Sequence, residues 1–431
     1  MCSSDLETGR LSSSACRSSR KVTLNNNCLM KINNDPKKIK ELLERSVDTM
    51  YPDRKSFEQM LNSKKQLRIY MGIDPTATYA HLGHATNYII LKRFHELGHK
   101  IIVLIGDFTA MIGDPSDKNA ARKRLTREDV ENNMKTFREQ IGKILDFDNK
   151  ENPIEFRYNS EWLSKLTFTD SVELASHFTV QRMLERDNFH KRIQENKPLY
   201  VHEFFYPLMQ GYDSVALEAD IEIGGTDQTF NMLAGRTLVR AYQNREKLVM
   251  TTTLLENPVT GEKLMSKSLG TGIGLDESPN EMFGKTMALP DEAIIQVFTD
   301  CTYKTMEEIN EMQAALKNGA NPRDLKIKLA HEIVATYHGE SEASSAEEYF
   351  INTFKKKEMP NEMPEIMPTI YELAVALLES GLVKSKSLAR QVIDQGGVKI
   401  NGEKVGEGEY GRQLKSGDII QKGARFFVRI K

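Results

Sequence analysis

Residues 67–106 read LRIYMGIDPTATYAHLGHATNYIILKRFHELGHKIIVLIG, and this stretch decides the fold. Apolar residues alternate over 67–73, as in a half-buried strand that ends at a proline-containing turn. A helical series of apolar side chains then begins near His81 and stops at Gly98. Residues 101–106 are apolar on both faces, as in a strand covered on both sides. The order strand, helix, strand predicts a right-handed unit of a parallel sheet.

The turn before this helix carries His81, Gly83 and His84. A helix N-terminus attracts phosphate because its first amides are unpaired and its end is partly positive. Two histidines three residues apart share a helix face and can donate hydrogen bonds to a phosphate, while a glycine lets a nucleotide approach the backbone. Surface histidines are the simpler alternative, since a lone His-x-x-His is a weak motif.

A second polar stretch, LMSKSLG at 264–270, follows a turn-rich segment and is expected to be a mobile loop. Lys267 beside Ser268 can bind phosphate through a point charge and a hydroxyl donor. Taken alone, the stretch is better explained as a solvated basic loop.

Two further clusters carry polar groups at defined spacing. Tyr206, Gln210 and Asp213 lie four and three residues apart, so one helix face holds a phenol, an amide and a carboxylate. Such a face can bind an ammonium group and a hydroxyl, although it is also typical of a wet surface. Gly225 and Asp227 follow a strand, where a carboxylate can bind ribose hydroxyls. The alternative for the second cluster is an N-capped helix after a tight turn.

These motifs, in this order, resemble those of class I aminoacyl-tRNA synthetases, and more closely those of bacterial-type tyrosyl-tRNA synthetases. Residues 81–84 resemble the His-Ile-Gly-His signature and residues 264–268 the Lys-Met-Ser-Lys-Ser signature. The second signature departs from the family, because Leu264 replaces its first lysine and Lys263 is displaced by one. We expect activation to survive through Lys267. The closer resemblance is carried by residues 70–76, 112–116, 206–213 and 224–228.

The resemblance implies a tyrosine–tRNA ligase, which forms tyrosyl-adenylate and pyrophosphate from L-tyrosine and ATP and passes tyrosine to the 3′ end of tRNA(Tyr). Mg²⁺ is expected with ATP, and no protein-held metal is expected. The implied catalytic residues are His81, His84, Lys267 and Ser268. The implied tyrosine contacts are Tyr70, Asp114, Asn159, Tyr206, Gln210, Asp213 and Gln228, with Tyr70 and Asp213 at the phenol. The implied ATP contacts are Gly72, Asp74, Gly83, Gly225, Asp227 and Lys267.

Pattern and resemblance together predict an α/β protein of three domains. Residues 35–274 are a Rossmann-like catalytic domain with a doubly wound parallel sheet, and 275–354 a small all-α anticodon-binding domain. Residues 355–368 are a Lys- and Pro-containing linker. Residues 369–431 are an α+β S4-like RNA-binding domain with a hairpin at Asn401-Gly402. Its RNA contacts are expected at Lys384, Lys386, Arg390 and Lys399.

Inside the catalytic domain, apolar spacing predicts four helical segments. They are a helix within 35–53, one amphipathic helix from Thr126 through Leu145, and helices over 172–187 and 201–213.

The near-neutral balance of 59 Lys and Arg against 61 Asp and Glu over 431 residues argues against nonspecific nucleic-acid binding by the whole protein, so any RNA contact is expected from local patches. No run of eighteen apolar residues is present, so no membrane span is expected. Three of the four cysteines fall in the first 34 residues, and only Cys301 lies in the body. An internal disulfide is therefore excluded there, which suits a reducing cytosol. We expect a cytoplasmic homodimer, with an organellar location as the alternative.

Residues 1–34 are rich in serine and asparagine and are expected to be disordered. One hypothesis is a transit peptide, favoured by several basic residues and opposed by Asp5 and Glu7. We favour the other hypothesis, in which Cys2-Ser3-Ser4-Asp5-Leu6 resembles a translated sequencing-adapter end, residues 1–29 are not native, and Met30 is the true start.

Two rival functions use the same fold class. A tryptophanyl-tRNA synthetase is disfavoured by Tyr70 with Asp213 and by the S4-like tail. A synthetase-like RNA-binding protein without catalysis is disfavoured by the presence of His81, His84, Asp227 and Lys267.

Overall fold

The computed structural model describes residues 32–115, 125–265, 271–355, 363–383, 385–423 and 426–431. The expectations for residues 1–31 and for Lys267, Ser268 and Lys384 lie outside these ranges.

A six-stranded sheet of order β1-β6-β5-β2-β3-β4 lies at the centre of the first part of the chain. Every neighbouring pair is parallel except β1 with β6. The strand order reverses between β2 and β5, and ligands of such sheets bind at the carboxyl ends of the strands at this point. This confirms the doubly wound sheet. The strands are β1 (Val47–Tyr51), β2 (Arg68–Ile73), β3 (Lys100–Ile105), β4 (Glu155–Tyr158), β5 (Ile221–Gly225) and β6 (Leu248–Thr252).

Eleven α-helices flank the sheet within the described residues 32–115 and 125–265. They are α1 (Pro36–Glu44), α2 (Arg54–Asn62), α3 (Leu82–Glu96), α4 (Arg127–Met134), α5 (Phe137–Gly142), α6 (Ser160–Leu163), α7 (Phe168–Ser176), α8 (Val180–Leu184), α9 (Asp187–Gln194), α10 (Phe205–Ala216) and α11 (Thr229–Gln243). His81 is the N-cap of α3, and Gly98 follows that helix with φ 91°. The predicted strand, helix and strand over 67–106 are thus confirmed.

The predicted helix within 35–53 is wrong beyond Glu44. The backbone turns extended at Arg45, and Ser46 has φ 62°, so the helix cannot continue. The following residues form β1, which pairs antiparallel with β6. Apolar side chains there face the sheet at a spacing that also fits a helix, and sheet pairing decides the outcome.

The other predicted helices are shorter than expected. The helix over 126–145 is divided into α4 and α5. The segment 172–187 is also divided, because the Thr179 side chain caps a new helix by accepting from the Arg182 amide at 3.1 Å. Residues 201–204 form a 3₁₀ turn before α10.

Five helices follow residue 274 in the described chain to residue 355, which agrees with the predicted change of pattern. They are α12 (Pro279–Met287), α13 (Ile294–Cys301), α14 (Met306–Lys317), α15 (Pro322–His338) and α16 (Glu340–Lys355). Their apolar residues share one continuous core with the sheet and its helices. The Arg45 guanidinium strengthens the junction by donating to the carbonyl oxygens of Thr299 and Thr302, each at 2.9 Å.

We expect Phe298→Ala to lower the free energy of unfolding of this core by about 3–5 kcal/mol. Phe298 is fully buried in the core that the sheet and the helices share. Denaturant unfolding followed by the fluorescence of Trp162, the single tryptophan, measures the change. Val259→Ala is the control, because Val259 is 75% exposed. An equal midpoint for wild type and Phe298→Ala would contradict a shared core.

Residues 363–431 have a separate apolar core and a five-stranded sheet of order β7-β11-β10-β8-β9. Asn401 and Gly402 have φ 52° and 85°, as the predicted hairpin requires. The predicted linker 355–368 is wrong at its end, because β7 pairs with β11. The elements are β7 (Glu365–Ile366), α17 (Leu373–Glu379), α18 (Lys386–Asp394), β8 (Val398–Ile400), β9 (Glu403–Lys404), β10 (Ile419–Lys422) and β11 (Phe426–Ile430).

Candidate active site

The N-terminus of α3 presents two stacked imidazoles, His81 and His84, with ring centroids 3.8 Å apart and planes 18° apart. The His81 amide donates to Nδ1 of His84 at 3.1 Å. An Nδ1 that accepts places the proton of the neutral His84 ring on Nε2, which makes Nε2 a donor. A Cβ on Gly83 would lie 3.1 Å from Cε1 and Nδ1 of His81. A larger residue at this position would require the His81 ring to shift by a few tenths of an ångström.

Asp74 lies directly after β2, at the point where the strand order reverses. Its carboxylate accepts from Thr109 Oγ1 at 2.8 Å and from the Tyr206 hydroxyl at 2.9 Å. Burial raises the pKa of Asp74 to about 7, although these two hydrogen bonds oppose the shift. A Cβ on Gly106 would lie 1.9 Å from Asp74 Oδ1, so glycine after β3 leaves the room that this carboxylate occupies.

Asp114 is bound by two side chains from distant parts of the chain. The Arg186 guanidinium contacts its Oδ1 at 3.0 Å, and Gln228 Nε2 donates to its Oδ2 at 2.6 Å. The Arg186 side chain is only 5% exposed and lies near the rings of Phe189 and Phe230. The structure thus brings Asp114 and Gln228 together, as the sequence predicted for one site. Sequence reasoning missed Arg186, because it lies among many charged residues with no distinguishing pattern.

Asp213 is a buried carboxylate on α10. It accepts from Trp162 Nε1 at 2.7 Å and from Asn159 Nδ2 at 3.3 Å. Burial raises the pKa of Asp213 well above its usual range, against the effect of these donors. Asn159 is held in turn by the Phe108 amide and by Thr109 Oγ1, both at 3.0 Å. Trp162 was not identified from the sequence.

Two predicted tyrosine contacts face other partners in this structure. The Tyr70 hydroxyl lies 2.7 Å from Ser214 Oγ, and Gln210 Nε2 donates to Glu222 Oε1 at 3.1 Å. Direct hydrogen bonds from Tyr70 to Asp213 and from Gln210 to Tyr206 do not occur among the described residues. Any shared role of these pairs therefore needs a ligand between them.

Asp227 lies in the 3₁₀ turn after β5, where a Cβ on Gly225 would approach its Oδ1 to 2.7 Å. Burial raises the pKa of Asp227. The ammonium of Lys263 is 3.8 Å from its Oδ2. Leu264, by contrast, is buried in the core. At the altered signature, therefore, the displaced lysine faces Asp227 and the leucine faces the core. Gly72 is exposed near the end of β2.

Three of the four predicted RNA contacts belong to the described residues and lie on the second sheet and its helix. Lys386 and Arg390 are exposed on α18, and Lys399 is exposed on β8. The Arg390 guanidinium lies 5.4 Å from the ring centre of Tyr410.

The described part of the chain contains no group of three or more His, Cys, Asp or Glu side chains placed to hold a metal. None of its helices is both long and apolar enough to cross a bilayer.

Comparison with known proteins gives concordant matches. Residues 62–355 match the family model described as tRNA synthetases class I (W and Y), and residues 373–420 match that of the S4 domain. The chain is 46% identical over 404 residues to the tyrosine–tRNA ligase of Carboxydothermus hydrogenoformans, covering 90% of this chain and 97% of that relative. It is 46% identical over 390 residues to that of Haemophilus influenzae, covering 90% and 96%.

Among solved structures, a C-terminally truncated mitochondrial tyrosyl-tRNA synthetase of Aspergillus nidulans has a similar fold. The TM-score is 0.63 at 23% identity, over 74% of this chain and 94% of that one.

Proposed function

Since the chain belongs to the class I tRNA synthetases of the tryptophan and tyrosine group, we propose that it is a tyrosine–tRNA ligase. It activates L-tyrosine with ATP to tyrosyl-adenylate and pyrophosphate, and then transfers tyrosine to the 3′ end of tRNA(Tyr). The observation that carries the amino-acid assignment is the buried Asp213 carboxylate, which Trp162 and Asn159 hold in place.

In the first step the tyrosine carboxylate attacks the α-phosphorus of ATP and pyrophosphate leaves. Such a reaction depends on positioning and on donors aimed at the developing phosphate charge, and it requires no covalent nucleophile. His81 and His84 at the N-terminus of α3 are the proposed donors, with Nε2 of His84 carrying a proton. Lys267 and Ser268 are proposed to close over the pyrophosphate. Magnesium is proposed to arrive with ATP and to be held mainly by its phosphates.

The proposed ribose site is formed by Gly225 and Asp227. The Lys263 ammonium lies 3.8 Å from Asp227 Oδ2, and an incoming ribose competes for the same carboxylate. Lys263 is also the cation closest in sequence to the position where the family has its first signature lysine.

The proposed tyrosine site has one end for the substrate ammonium group and one end for its phenol. At the phenol end, the Asp213 carboxylate accepts a hydrogen bond from the substrate hydroxyl. Phenylalanine cannot donate there, so its binding would desolvate Asp213 without replacing the lost water. At the ammonium end, the substrate ammonium contacts Asp114, Tyr206 and Gln228 and lies beside Asp74. Asp74, which the resemblance assigns to ATP, thus also attracts the tyrosine ammonium through its negative charge.

We expect kcat/KM for tyrosine to rise between pH 6 and 8 and then to level off. The pKa of Asp74 is about 7 in the free protein, so below pH 7 it loses the negative charge that attracts the substrate ammonium. Initial rates of pyrophosphate exchange at low tyrosine concentration measure the profile, and Asp74→Asn should flatten it. A flat wild-type profile over this range would contradict the role of Asp74.

We also propose a homodimer, supported by apolar side chains that the single chain leaves exposed on α7, α8 and the turn before α10. Phe168 is 84% exposed, Val180 65% and Val201 76%. Apolar residues this exposed on neighbouring elements are typical of a surface that another chain covers.

We expect Phe168→Glu combined with Val201→Glu to convert a dimer to a monomer in sedimentation analysis. Two charges would have to be buried at the interface without partners, which is strongly unfavourable. Ile370→Glu is the matched control, since Ile370 is 53% exposed on the C-terminal part of the chain. A wild-type monomer at micromolar concentration would contradict the proposed dimer.

Residues 275–354 are proposed to bind the anticodon region, and the S4-like residues 369–431 to bind folded RNA through Lys384, Lys386, Arg390 and Lys399. Bacterial relatives at 46% identity favour a cytoplasmic location.

The test of the complete function is aminoacylation of unfractionated bacterial tRNA, followed by sequencing of the charged species. The proposal predicts that tyrosine is attached to tRNA(Tyr). Charging of tRNA(Trp) with tryptophan, or no charging by a folded chain, would contradict it.

A further inference from the structure

Behind the proposed tyrosine site lies a fully buried lysine that the mechanism above does not use. Lys247 immediately precedes β6, and its side chain has no exposed surface. Its ammonium donates to Ser214 Oγ at 2.7 Å and to the Met232 carbonyl at 3.2 Å, and it forms an ion pair with Glu222. These contacts account for all three of its donors.

Glu222, on β5, is 2% exposed and receives three donors. Lys247 and Ser214 Oγ bind its Oε2, the latter at 3.2 Å, while Gln210 Nε2 binds its Oε1 at 3.1 Å. Because the amide nitrogen of Gln210 is turned to Glu222, its amide oxygen is the atom presented on the opposite side. An amide oxygen is the group that a substrate ammonium needs.

Ser214 links this ion pair to Tyr70. Its Oγ accepts from Lys247 at 2.7 Å and lies 3.2 Å from Glu222 Oε2. The Tyr70 hydroxyl is hydrogen-bonded to the same Oγ at 2.7 Å, so the position of the phenol depends on Ser214 and on the pair that holds it.

Two glycines leave the room for this arrangement. A Cβ on Gly235 would lie 2.5 Å from Lys247 Nζ and 2.6 Å from Ser214 Oγ. A Cβ on Gly211 would lie 3.1 Å from the Gly235 backbone nitrogen. The helices α10 and α11 therefore approach closely, and the space beside Gly235 is occupied by the lysine ammonium.

A contribution to the free energy of unfolding does not explain the presence of a buried ion pair of this kind. Desolvation lowers the pKa of Lys247, and well-packed apolar residues commonly replace such pairs with no loss of stability. The two side chains that the pair orients, Tyr70 and Gln210, both belong to the proposed tyrosine site. The geometry therefore favours a role in recognition.

We propose that Lys247 and Glu222 are positioning residues for tyrosine selection. Through Ser214 they hold the Tyr70 hydroxyl in place beside Asp213, where the substrate hydroxyl is proposed to bind. Through Gln210 they present an amide oxygen to the substrate ammonium. This inference rests on the proposed function.

The decisive variant is Lys247→Met combined with Glu222→Leu, which removes both charges and keeps a similar volume. The Ser214 proton is then available to Tyr70, and the Gln210 amide can rotate. We expect KM for tyrosine in pyrophosphate exchange to rise about tenfold or more, the size of one or two lost hydrogen bonds. The preference for tyrosine over phenylalanine should fall by a similar factor, while KM for ATP should change by less than about threefold.

Gly235→Ala is a second variant that displaces Lys247 and Ser214 without changing a charge, and it should shift the same two quantities. If the double variant does not fold, KM for tyrosine and the preference for tyrosine measured in Gly235→Ala test the proposal. The control is Lys100→Met with Glu155→Leu, a Lys–Glu pair at 2.6 Å in the same sheet, at the amino end of β3. The control should leave KM for tyrosine unchanged.

An unchanged KM for tyrosine and an unchanged preference in folded double-variant or Gly235→Ala protein would overturn the proposal. The proposed function is tested separately by tyrosine-dependent exchange in the wild type. The positioning role is tested by comparing each variant with the wild type in two quantities, KM for tyrosine and the preference for tyrosine over phenylalanine.

Discussion

Replacing His84 with alanine is expected to lower kcat for tyrosine-dependent pyrophosphate exchange by about 10²–10³-fold, the usual cost of losing one donor to transition-state charge. The His84 side chain forms no part of the Asp213 or Asp114 clusters, so KM for tyrosine should change by no more than a few fold. Steady-state exchange at saturating ATP separates the two parameters.

His95→Ala is the matched control for this experiment. His95 is in the last turn of the same helix, and its Nε2 lies 2.7 Å from the Asn152 carbonyl oxygen. The control should keep wild-type kcat. If His84→Ala retained full kcat in a folded protein, the phosphate role of the α3 N-terminus would be wrong.

Asp213→Asn is expected to lower kcat/KM for tyrosine by about 10²-fold, because a hydrogen bond to a charged group contributes about 1.5–3 kcal/mol. Activation of phenylalanine, which has no hydroxyl to lose, should be nearly unchanged. The preference for tyrosine should therefore fall by the same factor. Exchange rates with each amino acid at subsaturating concentration measure it directly.

The control for Asp213 is another buried aspartate, Asp220, which immediately precedes β5. Asp220→Asn removes a carboxylate that accepts from the Arg68 amide at 2.9 Å, at the opposite end of the strands. It should leave the preference for tyrosine intact. An equal loss of tyrosine and phenylalanine activation in Asp213→Asn would indicate a structural role for Asp213 only.

The parts of the fold that the sequence predicts are those fixed by local chemistry. Apolar alternation gives β2, the N-terminal His81 and terminal Gly98 delimit α3, and Asn401-Gly402 gives the hairpin. The edge strand β1 was missed because its pairing partner, β6, lies about two hundred residues away, and local spacing carries no information about it.

The residues of the candidate site also fall into two groups, those that the sequence predicts and those that only the structure identifies. Spacing singled out Asp213 and Asp227, and the family resemblance added Asp74 and Asp114. Their partners were missed, because contacts such as Arg186 with Asp114 and Trp162 with Asp213 join residues far apart in sequence. The Lys247–Glu222 pair was missed for the same reason, since its burial depends on how α10 and α11 pack.

The altered second signature is a case in which sequence and structure inform each other. The sequence shows the lysine displaced by one residue, and the structure shows where the two side chains lie. Leu264 is buried in the core, and the Lys263 ammonium lies 3.8 Å from Asp227. A side chain with the same charge is thus present one position before the altered one.

The most direct test of the central claim is pyrophosphate exchange by the wild-type protein with tyrosine, tryptophan and phenylalanine in parallel. The account predicts rapid exchange with tyrosine, and none above background with the other two at the same concentration. Exchange driven by tryptophan would contradict the assignment of Asp213 and Tyr70 to a phenol. Absence of exchange with all three, in a folded preparation, would contradict the proposed activation reaction.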